Sequence, residues 1–301
     1  FISHDLDEMM EHCDAVTVLR DGNIIGSLDK EEFDGNKMKE MMVGREVSGN
    51  YYRNDNDSYE DEITLKAHCI TTRKDLLCFN LELHKGEVLG IGGLSECGMH
   101  TVGKALFGYE KILDGKVTVG AKQTVVKNPE TAIANGIAYT SKDRDHESLG
   151  LAGSIRDNIA STGYYFNRIF GPIISFGKEK KFVQNQIDTL ELKCASQYHS
   201  VNTLSGGNKQ KVVFGKWIGS EADVLILDCP TRGIDIGVKA SMYQLIYKMK
   251  KQGKSIILIS EELPELIGMS DRILIMKDGK IVHEAMRSEN PTEHDLINYM
   301  I

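Results

Sequence analysis

The chain has 301 residues, 41% of them hydrophobic, enough to bury more than one ordinary core. Its formal net charge of −8 argues against a nucleic-acid binder, because phosphate contacts require clustered Lys and Arg. No apolar run approaches the roughly 20 residues of a membrane-spanning helix, and no signal-peptide pattern is visible at the start. The six cysteines (Cys13, Cys69, Cys78, Cys97, Cys194, Cys229) show no CxxC pair and read as reduced thiols of a cytosolic protein whose partners are protein and nucleotide.

In chain order, the first segment is half of an internal repeat. ISHDLDEMMEHCDAVTVLRDGNIIG (Ile2 to Gly26) lies without a gap on ISEELPELIGMSDRILIMKDGKIVH (Ile259 to His283), with eight identities that include Asp14/Asp271, Asp21/Asp278 and Gly22/Gly279. Each copy reads as a short helix, a strand and a tight Asp-Gly turn. The repeat implies that residues 1–48 end one domain and that 62–301 carry a second copy. Between them, residues 49–61 are polar and acidic, lack apolar periodicity, and read as a linker.

The second copy opens with two strand-like runs, ITLKAHCI and FNLELHKGEVLGIGG, around the turn at Lys85-Gly86-Glu87. The strand from Val88 to Ile91 delivers the chain into Gly93-Leu94-Ser95-Glu96-Cys97-Gly98-Met99-His100. On the phosphate-loop pattern G-x-x-x-x-G-K-[ST], Gly93 and Gly98 are present. Met99 replaces the lysine that reaches the phosphates, and His100 replaces the hydroxyl that holds Mg²⁺. A helix within 121–138 leads into IAYT, and 149–194 reads as helical. The aromatics Tyr164, Tyr165, Phe166 and Phe170 there face either a partner or that segment's own core.

Thr203 to Asp235 is the most informative stretch: TLSGGNKQKVVFGKWIGSEADVLILDCPTRGID. Ser205-Gly206-Gly207 precedes a helix-compatible run, so unpaired backbone N–H groups and the positive end of the helix dipole gather there. That is an anion site, most naturally for phosphate. The run from Val224 to Leu227 reads as a strand buried on both faces of a parallel sheet. It delivers Asp228 at the carboxyl end, where such sheets place their ligand chemistry.

LSGGNKQK, an apolar strand ending in Asp, and PTRGIDIGVK, in this order and spacing, resemble the signature, Walker B and D-loop of ABC-type ATPases. The spelling is most similar to the ATP-binding subunits of simple-sugar importers of the ribose and galactose type. The resemblance implies an α/β fold: a P-loop NTPase-like ABC ATPase core with a mostly parallel sheet, an antiparallel β subdomain and an α-helical subdomain. It also implies two fused ATPase copies, ATP and Mg²⁺ as cofactors, and a place on the cytoplasmic face of the membrane. Permease subunits would dock on the helical subdomain at about 141–194, with a sugar-binding protein as an indirect partner.

Residue by residue, the resemblance makes His4 the switch histidine of the first copy, and Glu261 stands in its place in the second. Lys142-Asp143-Arg144 match the Q-loop, with Lys142 where glutamate is usual. Leu204, Ser205, Gly206, Gly207, Asn208 and Gln210 match the signature that completes the opposite copy's ATP site. Gly233, Ile234 and Asp235 match the D-loop. Asp228 matches the Walker B carboxylate and would hold Mg²⁺ weakly through water. Cys229 replaces the catalytic glutamate, and a neutral thiol is a poor base near neutrality.

The phosphate loop (Gly93, Glu96, Gly98, Met99, His100) has lost one cation, and Glu96 and Glu261 add two carboxylates. One unit charge at ~4 Å is worth about 4 kcal/mol at an effective dielectric of ~20, so triphosphate binding there is disfavoured. The expectation is that the second copy lends its signature to the first and performs no chemistry itself. The alternatives are a regulatory or scaffolding pseudo-ATPase, an importer ATPase for nucleoside or autoinducer-type cargo, and a translation-associated or repair ABC protein. The acidic linker and the absence of heptads argue against the last.

Overall fold

The computed structural model describes residues 1–3, 6–20, 22–43, 52–56, 58–165, 175–220 and 222–301. His4, Phe166 and Phe170 lie outside the described residues, as does the Tyr165 side chain. Helix α1 (Leu6–His12), the antiparallel hairpin β1 (Ala15–Arg20) and β2 (Asn23–Asp29), and helix α2 (Gly35–Val43) close over Leu6, Met9, Val16, Val18, Leu28 and Met38.

The larger unit starts with β3 (Ile63–Thr71), β4 (Phe79–His84), β5 (Val88–Gly93), α3 (Met99–Leu106), β6 (Asp114–Val119), β7 (Thr124–Val125), α4 (Pro129–Ala134) and β8 (Ile137–Thr140). A helical layer follows: α5 (Ile155–Tyr165), α6 (Phe176–Thr189) and α7 (Gly206–Ile218). The chain then runs through β9 (Val224–Asp228), α8 (Ile236–Lys251), β10 (Ser255–Ile259), α9 (Leu263–Met269), the hairpin β11 (Arg272–Lys277) and β12 (Lys280–Met286), and α10 (Glu293–Met300).

Among the described residues, six strands form the central sheet in the order β12-β11-β5-β10-β9-β8. All its neighbours pair in parallel except β12, which lies antiparallel on the edge. Every residue of β5, β8, β9 and β10 is buried, which explains why VLGIGG, VLILD and SIILI carry no polar alternation. A second sheet, β4-β3-β6-β7, is antiparallel throughout. The expected core, antiparallel subdomain and helical layer are all present.

The repeat read from the sequence is a structural repeat. Helix α1 and hairpin β1–β2 correspond, bound for bound, to α9 and hairpin β11–β12. Both hairpins even carry a register shift at the same point, between Val18 and Leu19 and between Ile275 and Met276.

Two expectations change. Cys69 and Cys78 form a disulfide, so the reading of six free thiols is corrected. The antiparallel pairing of β3 and β4 holds Ile70 against Phe79, which brings the neighbouring cysteines face to face although nine positions separate them in sequence. The described part of the linker, in turn, packs on the large unit. The Tyr52 ring packs at a tilt on Tyr243 of α8, centroids 5.1 Å apart, and Arg53 is buried with its guanidinium on Asp271.

Asp271 anchors this junction. Its carboxylate accepts from Arg53 and from the Val88 N–H at 2.8 Å, and Lys250 Nζ lies 3.3 Å away. Removing it leaves a strand amide unpaired and takes a carboxylate from two buried cations, leaving Arg53 only Asp55 at 3.2 Å and Lys250 only the Gly86 carbonyl at 3.0 Å among the described residues. Asp271→Ala is expected to cost about 3–5 kcal/mol in urea denaturation, and a loss under about 1 kcal/mol would show that the junction does not depend on it.

Candidate functional site

Five parallel strands end on one rim of the sheet, and the carboxyl ends of four of them, β5, β8, β9 and β10, hold the site. Strand β5 opens into the loop Gly93 to Gly98. Gly93 has no room for a side chain, because a Cβ would meet Cys97 Sγ at 2.4 Å and the Met276 carbonyl at 2.5 Å. Gly98 begins α3 at φ 94°, a left-handed conformation that glycine adopts without strain. The next residue, Met99, is fully buried in the core. Its side chain packs inward, so no group from this position reaches the rim.

His100, one residue on, lies at the centre of a polar network. Its Nδ1 is 2.7 Å from Asp228 Oδ1, at the end of β9. Lys142 Nζ donates to Nε2 at 3.1 Å, which leaves Nδ1 to donate to Asp228. The same ammonium donates to Glu261 Oε1 at 2.7 Å, and Ser95 Oγ donates to that oxygen from the other side at 2.7 Å. Tyr139 Oη donates to the second Asp228 oxygen at 3.3 Å. Six side chains from the loop, the start of α3 and three strand ends thus bond to one another where a phosphate chain would lie.

The electrostatic tally read from the sequence is revised accordingly. The site does hold a cation, Lys142, supplied by the segment after β8 and not by α3. Hydrogen bonds from Lys142 and Ser95 hold the Glu261 carboxyl at about 2, well below the ordinary range. Glu96 is exposed, so it does not crowd the rim. Burial, followed by the charges of Asp228 and Glu261, pushes the Cys229 thiol up to about 12, which removes it as a base. Cys229 also sits at φ 47°, a strained conformation for a residue with a Cβ, costing on the order of 1–3 kcal/mol.

These residues do not fit Mg²⁺ and a triphosphate. Mg²⁺ demands near-octahedral oxygen ligands, whereas here an imidazole replaces the hydroxyl and a thiol replaces the carboxylate. Asp228, completely buried, already accepts from His100 and Tyr139. The phosphate loop offers no cation of its own.

The signature residues are placed apart from this network. Ser205 is exposed and caps α7, its Oγ accepting from Asn208 N at 3.4 Å and Nδ2 at 3.0 Å. Gly206 is half-buried, and a Cβ there would stand 3.0 Å from Arg144 Nη2. Gly207 is buried against Val238, which a Cβ would meet at 2.9 Å. Gln210 is buried on the inner side of α7, so its inclusion among nucleotide contacts is corrected: it faces the core. Asp235 caps α8 through Val238 N at 3.0 Å, and Ile234 is buried.

Loop 141–148 connects these parts. Arg144 donates to the carbonyls of Arg232 and Gly233 at 2.8 and 3.3 Å, and Asp145 accepts from Lys209 of α7 at 3.1 Å. Asp143 caps the turn at His146 N, 3.1 Å away. At its far end the loop lines a cavity of about 410 Å³ with Phe107, Tyr109, Ile133 and Trp217. Tyr164, one of the aromatics weighed as a partner contact, packs against the core, and burial and Glu179 push its hydroxyl up to about 12. Sequence reasoning missed Tyr139, Ser95 and the reach of Lys142. The signal for Lys142 was its place two residues beyond a buried strand whose Thr140 pairs with Leu227, beside Asp228.

A family described as ABC transporter matches residues 76–232. The chain is 36% identical to the ribose import ATP-binding protein of Bacillus cereus, over 93% of this chain and 56% of that protein. It is also 36% identical to the galactose/methyl galactoside import ATP-binding protein of Clostridium tetani, over 99% and 59% respectively. The chain thus spans somewhat over half the length of these relatives. Among solved structures, a dimeric ATP-binding cassette in a post-hydrolysis state with ADP and Pi superposes with a TM-score of 0.66 at 20% identity, covering 74% of this chain and 98% of that one.

The depressed Glu261 acidity has a measurable sign. A carboxyl whose folded value lies below its ordinary value, near 4.5, stabilises the fold above that value and loses the contribution as pH falls toward about 2. Glu261→Gln should therefore be less stable than the parent near neutral pH, with the gap closing on acidification across that window. A gap that stays constant in denaturation midpoints would dissolve the Lys142–Glu261 pairing.

Proposed function

Because the chain belongs to the ABC transporter ATP-binding family, we propose that it is part of the energy-coupling subunit of a simple-sugar importer. Its second copy serves as a catalytically silent partner. The observation that carries this reading is the contrast between two parts of one unit. The phosphate loop is closed by side chains of the same unit, chiefly Lys142, Glu261 and His100, while Ser205 at the head of α7 stays exposed. In this reading Ser205, Gly206 and Asn208 complete an ATP site whose phosphate loop belongs to the first copy, together with His4 as its switch residue. ATP and Mg²⁺ bind there, and hydrolysis drives monosaccharide uptake. The named relatives support ribose- or galactose-like cargo.

The permease docks, on this proposal, in the cavity between core and helical layer. Three features support it. The lining is mostly apolar, the Trp217 indole N–H is buried without an acceptor among the described residues, and loop 141–148 runs from this cavity to Lys142. No helix among the described residues is long and apolar enough to cross a membrane, so a peripheral location at the cytoplasmic face would depend on this contact.

The chain by itself is expected to hydrolyse no ATP above background. In the full-length protein assembled with its permease, Ser205→Arg should abolish hydrolysis and uptake by steric bulk. Met99→Leu, which keeps the core volume, should leave hydrolysis within a few-fold of the parent. Tolerance of Ser205→Arg would sink the silent-partner reading. Separately, Ile133→Asp should reduce co-purification of the permease at least tenfold with little change in melting temperature, and undiminished co-purification would move the docking site elsewhere.

A further inference from the structure

At the end of β9, three side chains of different donor chemistry converge. A ring nitrogen of His100, a carboxylate oxygen of Asp228 and the Cys229 Sγ lie within 4.8 Å of one another, and no other such group of three occurs among the described residues. We propose that His100 Nδ1, Asp228 and Cys229 bind a single divalent transition-metal ion of the zinc class.

The ligand set selects the metal. Imidazole and thiolate are borderline and soft donors, suited to zinc or cobalt and unsuited to Mg²⁺ or Ca²⁺. Zn–N and Zn–O bonds of about 2.0–2.2 Å and Zn–S bonds of about 2.3 Å place tetrahedral donors some 3–4 Å apart. Small side-chain rotations therefore close the site. His100 and Asp228, now 2.7 Å apart, need only separate slightly as the ion replaces the proton between them.

The surroundings are those of a supported metal site. A ligating histidine characteristically donates its other ring N–H to a carboxylate, and His100 Nε2 lies 3.6 Å from Glu261 Oε1. Metal binding exchanges the tautomer: Nδ1 gives up its proton, Nε2 carries one, and Lys142 is left to hold Glu261. Tyr139 steadies the ligating Asp228 through its other oxygen. The Cys229 N–H donates to the Ile259 carbonyl at 2.8 Å, so two ligands sit on a fixed strand end.

Charge also balances. A coordinating thiol is ionised by the metal. Asp228, Glu261 and the Cys229 thiolate then carry three negative charges and Lys142 one positive, which leaves two for a divalent ion to neutralise. Three protein ligands leave a fourth position for water.

Cobalt is the probe, because a thiolate ligand gives it a charge-transfer absorption. Titrating the full-length protein with Co²⁺ should give saturable binding of one equivalent by this copy, with that band present and displaced by Zn²⁺. Cys229→Ser should abolish the band, and His100→Gln should weaken binding at least tenfold. Glu261→Gln should keep the band and lower affinity by about 10- to 100-fold. A band that survives Cys229→Ser in a protein with a native circular-dichroism spectrum, or no saturable cobalt binding by the folded parent, overturns the proposal. None of these readouts depends on ATP hydrolysis or sugar uptake, so the proposal stands or falls separately from the transport reading.

Discussion

The pairing of Lys142 with Glu261 and His100 is the contact on which the rest of the rim depends. A cation inside a ring of acceptors serves the role that a phosphate chain and its counterion would otherwise require. Without Lys142, Glu261 and Asp228 would flank His100 with no lysine or arginine between them. With it, Ser95, His100, both Asp228 oxygens and Glu261 Oε1 each have a partner. The rim is thus closed from within by chemistry carried on four separate strand ends.

This closure has a mechanical corollary. Lys142 belongs to the same loop that lines the cavity beside Trp217 and that ties Arg144 to the carbonyls of Arg232 and Gly233. The loop thus links the cavity to the rim and to the turn before α8 through hydrogen bonds of ordinary length. The exposed head of α7 is held to this loop by Lys209 and Asp145. Signature, rim and cavity are neighbours of one short segment.

The junction with the preceding unit follows a different logic. Arg53 reaches Asp271 from a stretch without regular structure, and Arg287 donates to the Arg53 carbonyl and to the carbonyls of Ile267 and Gly268. The connecting segment is therefore strapped to the end of the second copy. Its lack of periodicity reflects irregular backbone satisfied by side chains, not freedom from the fold.

Much of the architecture was legible in the order of residues. Continuous apolar runs such as VLILD mark buried parallel strands, the glycines of the loop mark a close approach, and the repeat of Ile2 to Gly26 at Ile259 to His283 marks duplicate hairpins, because all of these are local consequences of burial and backbone sterics. The departure of the phosphate loop from its pattern was equally visible, since Met99 and His100 stand where that pattern has lysine and a hydroxyl. What fills the loop was not visible. Lys142, Ser95, Tyr139 and the partnership of Cys69 with Cys78 depend on which strand ends lie side by side, and Gln210 faced inward only once α7 had packed on its layer. Sequence spacing determines the period of a helix or strand. Strand order and register are settled by long-range packing, and they alone decide which distant side chains meet.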